Sequence, residues 1–206
     1  MTILSVNKTR DFVDGRFALF FYGRGLRSFF VFSEGIMRKN VRLLAHGAIL
    51  AAIYAALTHL QNLLLPGSAS WAIQFRASEA LCVLAFFTPA AIPGLTVGCF
   101  LYNITAAAVL PLDFFVGSLA TLLAAWGMRK LRHMKLWGYP LPAMLLPALS
   151  NALFVGWELS VYIGGAFWLN ALYVAIGEAA VLLTLGTALY YAILRNDLKR
   201  HVFDRR

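Results

Sequence analysis

Formal charge is scarce in this chain, and so are cysteine and the short motifs that announce chemistry. Only 13% of the 206 residues are Asp, Glu, Lys or Arg, against 61% hydrophobic; soluble domains carry about 25% charged residues. A single water-soluble core does not hide that much apolar surface, and the mean hydropathy of +0.73 identifies an integral membrane protein. The two cysteines, Cys82 and Cys99, both fall in apolar runs and offer neither a disulfide framework nor metal-ligand spacing. They read as small lipid- or core-facing residues. Walker A, HExxH and GxSxG patterns are absent, and no nucleophile is paired with a base. The chain therefore has no ATPase motif of its own, no hydrolase site, and no call for a metal or cofactor. It does not read as an enzyme.

What is present is positive charge in clusters. The formal net charge is +9. Eight Lys/Arg lie between Lys8 and Arg42, four between Arg129 and Lys135, and five between Arg195 and Arg206; Arg76 is the remaining one. Clusters between apolar runs mark loops retained in the cytoplasm during insertion, so they read as topology and not as a nucleic-acid surface.

Residues 1–42 are basic and aromatic, with apolar stretches too broken to span and no signal-peptide cleavage pattern. They form either a basic segment lying on the anionic leaflet or an upstream extension. The second is favoured, because Met37 followed by Arg38-Lys39-Asn40-Val41-Arg42 would itself open a membrane protein. Six apolar segments follow, at Leu43–Leu65, Trp71–Thr88, Ile92–Leu110, Asp113–Leu131, Pro140–Glu158 and Phe167–Leu194, punctuated by prolines. Each is near the roughly 20 residues that cross the hydrocarbon, the second being the shortest once its polar start is set aside. The expected fold is all-α: a six-helix membrane domain over 43–194 and a basic cytoplasmic tail over 195–206, with both termini in the cytoplasm and the protein multi-pass in the cell membrane.

Within that topology the informative residues are polar groups embedded in apolar sequence, since ionisable residues in spans are costly and face the bundle interior. Glu79 opens the second segment, Asp113 the fourth, and Glu158 closes the fifth, all toward the outer face. Asn103 lies near the outer end of the third segment. Asn151 precedes Glu158 by two helical turns on one face. Glu178 sits mid-way along the sixth. Each has a structural alternative: Glu79 pairs with Arg76 three residues earlier, Asp113 caps a helix start, and Glu158 is interfacial beside Trp157. Glu178 lacks such an alternative. Aromatics gather at the same ends, at Trp71, Tyr102, Trp157, Tyr162, Trp168 and Tyr173, mostly as an interfacial belt, with one or two placed to stack on a planar ligand. The first segment carries small-residue ladders, Ala48-Ala52-Ala56 and Ala51-Ala55, whose spacing permits close helix approach.

These residues carry a resemblance. Gln74-Phe75-Arg76-Ala77-Ser78-Glu79-Ala80-Leu81, then Phe86-Phe87-Thr88-Pro89-Ala90-Ala91-Ile92-Pro93-Gly94-Leu95, then Gly98-Cys99 and Asn103, resemble the QueT family of proposed queuosine-precursor transporters. Asp113 with Gly117-Ser118-Leu119-Ala120-Thr121-Leu122, and Asn151-Ala152 with Gly156 and Glu158, extend it over about Leu43 to Leu194. The resemblance implies an S component of an energy-coupling factor (ECF) transporter: a six-helix bundle with an outward-opening pocket, partnered by a transmembrane coupling subunit and two ATPase subunits. It implies that Ala48, Ala52, Ala51 and Ala55 dock the coupling subunit. The ligand would be a 7-deazaguanine such as preQ1 or queuine, whose guanine edge and amine suit carboxylates. The substrate-binding set is then Glu79, Asp113, Glu158, Asn103, Asn151, Arg76, Trp157 and Glu178. Two rivals stand beside it: an S component for another cationic heterocycle such as thiamin, and a proton-coupled secondary carrier using Glu178 as its relay.

Overall fold

The computed structural model describes residues 16–68, 74–106 and 110–195, with side chains from residue 40 on. Residues 1–15, Trp71 and the tail beyond Arg195 lie outside the described residues, as do the side chains around Met37. By its contacts the chain divides into residues 1–42 and 43–206. The second unit holds the apolar segments and the buried polar residues.

The described residues hold helices and no strands. α1 (Arg16–Leu64) is followed by a 3₁₀ helix (Ala77–Phe86). Then come α2 (Ala91–Thr105), α3 (Asp113–Lys130), the single turn α4 (Leu141–Met144), α5 (Leu146–Tyr162) and α6 (Phe167–Val181). A π turn (Leu182–Gly186) joins α6 to α7 (Thr187–Arg195). Among the described residues, three stretches are long and apolar enough to cross a membrane: Asn40–Leu64, Leu141–Tyr162 and Phe167–Arg195. The six segments expected from the sequence are thus not equivalent. The segment Trp71–Thr88 yields a ten-residue 3₁₀ helix, about 20 Å long at 2.0 Å per residue. The third yields the 15-residue α2, about 22 Å long. The 3₁₀ segment is shortened mainly at its start, where residues 74–76 are not helical, and α2 ends at Thr105, short of Pro111.

A polar cluster is buried inside the bundle, and the perimeter is apolar. Leu44, Leu63, Phe115, Trp126 and Trp168 are among many large apolar side chains on the perimeter, while Arg76, Glu79, Glu158 and Glu178 are fully buried. Water would impose the reverse order; hydrocarbon imposes this one.

Two glycines let α1 and α2 meet backbone to backbone. A Cβ on Gly94 would come within 2.6 Å of the Gly47 carbonyl, and one on Gly98 within 2.8 Å of the Ala51 carbonyl. This GxxxG face is the close approach that small residues permit in a membrane. It also divides the alanine ladders. Ala51 is buried against α2 and Ala55 is half-buried, whereas Ala48, Ala52 and Ala56 remain exposed. α2 thus covers the Ala51 side of the helix and leaves the Ala48-Ala52-Ala56 side open.

The apolar core lies at the other end of the 3₁₀ helix. Val83, Leu84 and Ala85 pack with Met128, Met144 and Leu182, and Val83 lies against Gly186 of the π turn. The two irregular elements therefore pack on one another. Irregular turns of this kind recur at functional positions.

Candidate functional site

The site begins with a short extended stretch before the 3₁₀ helix. Gln61 of α1 brackets it: its amide nitrogen donates to the Phe75 carbonyl, and its oxygen accepts from the Ala77 N–H at 2.8 Å. Between these two anchors stands Arg76, in β-region backbone (φ −91°, ψ 100°). The Glu79 N–H closes the first 3₁₀ turn on the Arg76 carbonyl at 3.0 Å, but the side chain of the extended Arg76 does not make the expected i,i+3 pair with Glu79. Its guanidinium instead reaches α3, where Nη2 lies 3.2 Å from Asp113 Oδ2. It also lies 5.8 Å above the Tyr102 ring.

Glu79 is held from three other directions. Tyr54 of α1 donates its hydroxyl to Oε1 at 2.5 Å, Thr121 of α3 lies 3.4 Å from the same oxygen, and the Cys82 thiol donates to Oε2 at 3.2 Å. The thiol contact follows from the 3₁₀ geometry, in which residues three apart eclipse one another. Thr58, one turn beyond Tyr54, bonds back to the Tyr54 carbonyl and meets the Ser78 hydroxyl at 2.7 Å.

Asp113 opens α3 but does not cap it. Oδ2 is taken by Arg76, and Oδ1 has no hydrogen-bond partner. Asn103 of α2 donates to the Asp113 backbone carbonyl at 2.8 Å. Gly117, one turn further along α3, makes room for both: a Cβ there would meet Asp113 Oδ1 at 2.7 Å and Asn103 Nδ2 at 2.8 Å.

α5 and α6 complete the ring. Glu158 is fully buried, and both its oxygens are unpartnered; it faces the charges of Asp113 and Arg76. Glu178 is likewise fully buried with both oxygens unpartnered. It faces Glu79, Arg76 and the Asn151 amide. Gly177 brings it there, since α6 passes so close to the Gln74 backbone that a side chain at 177 would collide with it.

Seven of the eight sequence-designated residues thus converge: Arg76, Glu79, Asn103, Asp113, Asn151, Glu158 and Glu178. Trp157 does not join them. It is 49% exposed and lines an apolar groove of about 460 Å³ with Phe115, Leu119, Leu153, Phe154 and Phe167. Consecutive residues on a helix point about 100° apart, so α5 cannot turn both Glu158 and Trp157 inward. Of the aromatics, Tyr102 is the one fully buried beside Arg76.

The sequence does not single out Tyr54, Thr58 and Gln61, and it gives Gln74, Ser78 and Thr121 no role beyond the motifs that contain them. Isolated hydroxyls and amides in apolar helices are common, and none of these stands out alone. The signal available was periodic: Gly47, Ala51, Tyr54 and Thr58 recur at helical spacing and mark the face of α1 that is buried. The cysteines are core-facing small residues, as expected, but also touch the polar ring: Cys82 donates to Glu79, and Cys99 lies 3.6 Å from Asn103 and 3.9 Å from Arg76.

Eight buried oxygens in this ring lack a partner: Gln74 Oε1, Asn103 Oδ1, Asp113 Oδ1, Asn151 Oδ1 and both oxygens of Glu158 and of Glu178; the Tyr102 hydroxyl is a ninth such atom. Buried polar atoms are nearly always satisfied. A cluster of acceptors left open at the meeting point of five elements is what a donor-rich ligand would fill. The model of one family, described as the QueT transporter, matches residues 44–195. The chain belongs to the QueT transporter family. The match begins just past Arg42 and ends at the close of α7, so it takes in every element of the polar ring. A QueT transporter with three long apolar helices is a multi-pass membrane protein. No curated protein and no solved structure matches the chain.

Proposed function

We propose that this QueT-family protein is the substrate-binding S component of an ECF-type importer, taking a 7-deazaguanine precursor of queuosine such as preQ1 or queuine. The observation that carries the reading is the set of open, fully buried acceptors around Arg76. A guanine edge offers adjacent N–H donors, and a carboxylate accepts two at once. Arg76 and the amide of Asn103 or Asn151 supply donors for the ligand carbonyl. Glu79, with all its bonds to fixed neutral donors, holds the shape of the pocket and contributes negative potential. The basic clusters at Arg129–Lys135 and in the tail set the cytoplasmic side, which puts the acceptor ring toward the outside, as capture requires.

Energy would come from a transmembrane coupling subunit and two ATPase subunits. The exposed Ala48-Ala52-Ala56 ladder is the surface we assign to the coupling subunit, since small side chains allow a partner helix to approach closely. A proton-coupled carrier built on Glu178 predicts accumulation in proteoliposomes of this chain alone; an S component predicts binding without accumulation.

The test is ligand binding by the purified chain in lipid nanodiscs, followed by calorimetry with deazaguanines and with thiamin. Saturable deazaguanine binding that falls at least tenfold in Glu158→Gln or Asp113→Asn supports the reading. Unchanged affinity in Glu79→Gln, Asp113→Asn and Glu158→Gln together would end it.

A further inference from the structure

Four carboxylates, Glu79, Asp113, Glu158 and Glu178, share one buried cluster. Arg76 is the only Lys or Arg from Leu43 to Met128, and it is committed to Asp113 at 3.2 Å. The guanidinium bonds Asp113, and its charge also faces Glu158, Glu178 and Glu79. One cation thus stands against four acids. Glu178 and Glu79 neighbour each other. Glu79 receives two hydroxyls and a thiol, and Glu178 has neither oxygen bonded, with the neutral Asn151 amide facing it. Neutral donors soften a carboxylate but do not cancel its charge, and a bare carboxylate away from water either takes up a proton or acquires a cation.

We infer that Glu178, with Glu79 beside it, is the seat of a positive charge on the ligand, and that the site therefore selects a cationic ligand over a neutral one of the same shape. This rests on the reading of the acceptor ring as a ligand site, and it separates the acids by role. Glu158, beside the Arg76–Asp113 pair, meets the uncharged planar donor edge. Glu178 meets a protonated alkylamine. Glu79 touches no ligand; it is a positioning residue that keeps negative potential next to Glu178 through its bonds to Tyr54, Thr121 and Cys82.

The experiment is calorimetric titration of the full chain in nanodiscs with two probes of one shape and different charge, 7-aminomethyl-7-deazaguanine and 7-cyano-7-deazaguanine. The unaltered chain binds the amine about 100-fold more tightly, the factor expected of one buried charge-assisted contact. Glu178→Gln brings that ratio to within about threefold while still binding the cyano probe, which doubles as the control for folding. Glu158→Gln weakens both probes in parallel. Equal affinity of the unaltered chain for the two probes overturns the inference. So does a 100-fold preference that survives Glu178→Gln, or loss of both probes in that variant. If neither probe binds the unaltered chain, the deazaguanine reading fails separately. The inference is then read from thermal shifts with thiamin, a cation, and with neutral heterocycles. Stabilisation by the cation alone, abolished in Glu178→Gln, sustains it, and no stabilisation by any cation overturns it.

Discussion

The two ends of the 3₁₀ helix Ala77–Phe86 present opposite solutions to burying polar groups. Beyond its last turn, Arg129 of α3 donates to the Ala85 carbonyl at 3.1 Å and the Tyr139 hydroxyl meets Thr187 at 2.5 Å. Phe86, Phe87, Tyr139, Tyr190 and Tyr191 pack edge to face or stacked around them. No buried side-chain nitrogen or oxygen at that end lacks a partner among the described residues. Before its first turn, by contrast, eight acceptor oxygens stand open. The same bundle that closes every bond at one end leaves a ring of bonds unmade at the other. An unsatisfied buried group costs about 1–3 kcal/mol, more if charged. The open end is thus the less stable of the two, and the ligand we propose would supply what it lacks.

The sharpest way to break this contrast is to remove the one cation that holds the open end together. Arg76→Ala leaves the Asp113 carboxylate buried without its partner, and we expect a loss of roughly 3–5 kcal/mol, seen as a collapse of the thermal melt or of monodisperse yield. Retention of wild-type melting by Arg76→Ala would show that the ion pair does not organise the ring. Glu178→Gln should act in the opposite direction. Replacing a buried carboxyl group that has neither oxygen bonded stabilises the ligand-free protein by about 1–2 kcal/mol, while the amine-bearing ligand no longer raises its melting temperature. A destabilised Glu178→Gln would mean that the carboxylate is satisfied after all.

A third variant probes space instead of charge. Gly117→Ala would press a methyl on Asp113 Oδ1 and Asn103 Nδ2. We expect affinity to fall about tenfold with little change in melting, because the strain falls on side chains of the site and spares helix packing. The smallest effect belongs to the closed end. Tyr139→Phe deletes one partly exposed hydrogen bond, which should cost about 1 kcal/mol and leave ligand affinity unchanged. An altered affinity there would mean that the two ends are coupled through the 3₁₀ helix.

Much of the site was legible before the fold. Buried charge is so costly in hydrocarbon that Glu79, Asp113, Glu158 and Glu178 identified themselves by position alone, and the two-turn spacing of Asn151 and Glu158 placed them on one face. What failed to show was partnership. The Arg76–Glu79 pairing presumed a helix through both residues, but Gln61, fifteen positions upstream, holds Arg76 extended and hands it to Asp113. Trp157 looked like a neighbour of Glu158 in the site because it is a neighbour in sequence, and helical rotation separates them. The alanine ladders looked equivalent until α2 covered Ala51 through Gly94 and Gly98.

The sequence by itself determined the medium, the helical class and the inventory of costly groups, because these follow from composition and from the energy of placing a charge in hydrocarbon. The family match rests on the same residues. Only the tertiary structure decided which carboxylates are bonded and which are open. That outcome depends on contacts between α1, the 3₁₀ helix, α3, α5 and α6, residues far apart along the chain, and no local periodicity encodes it.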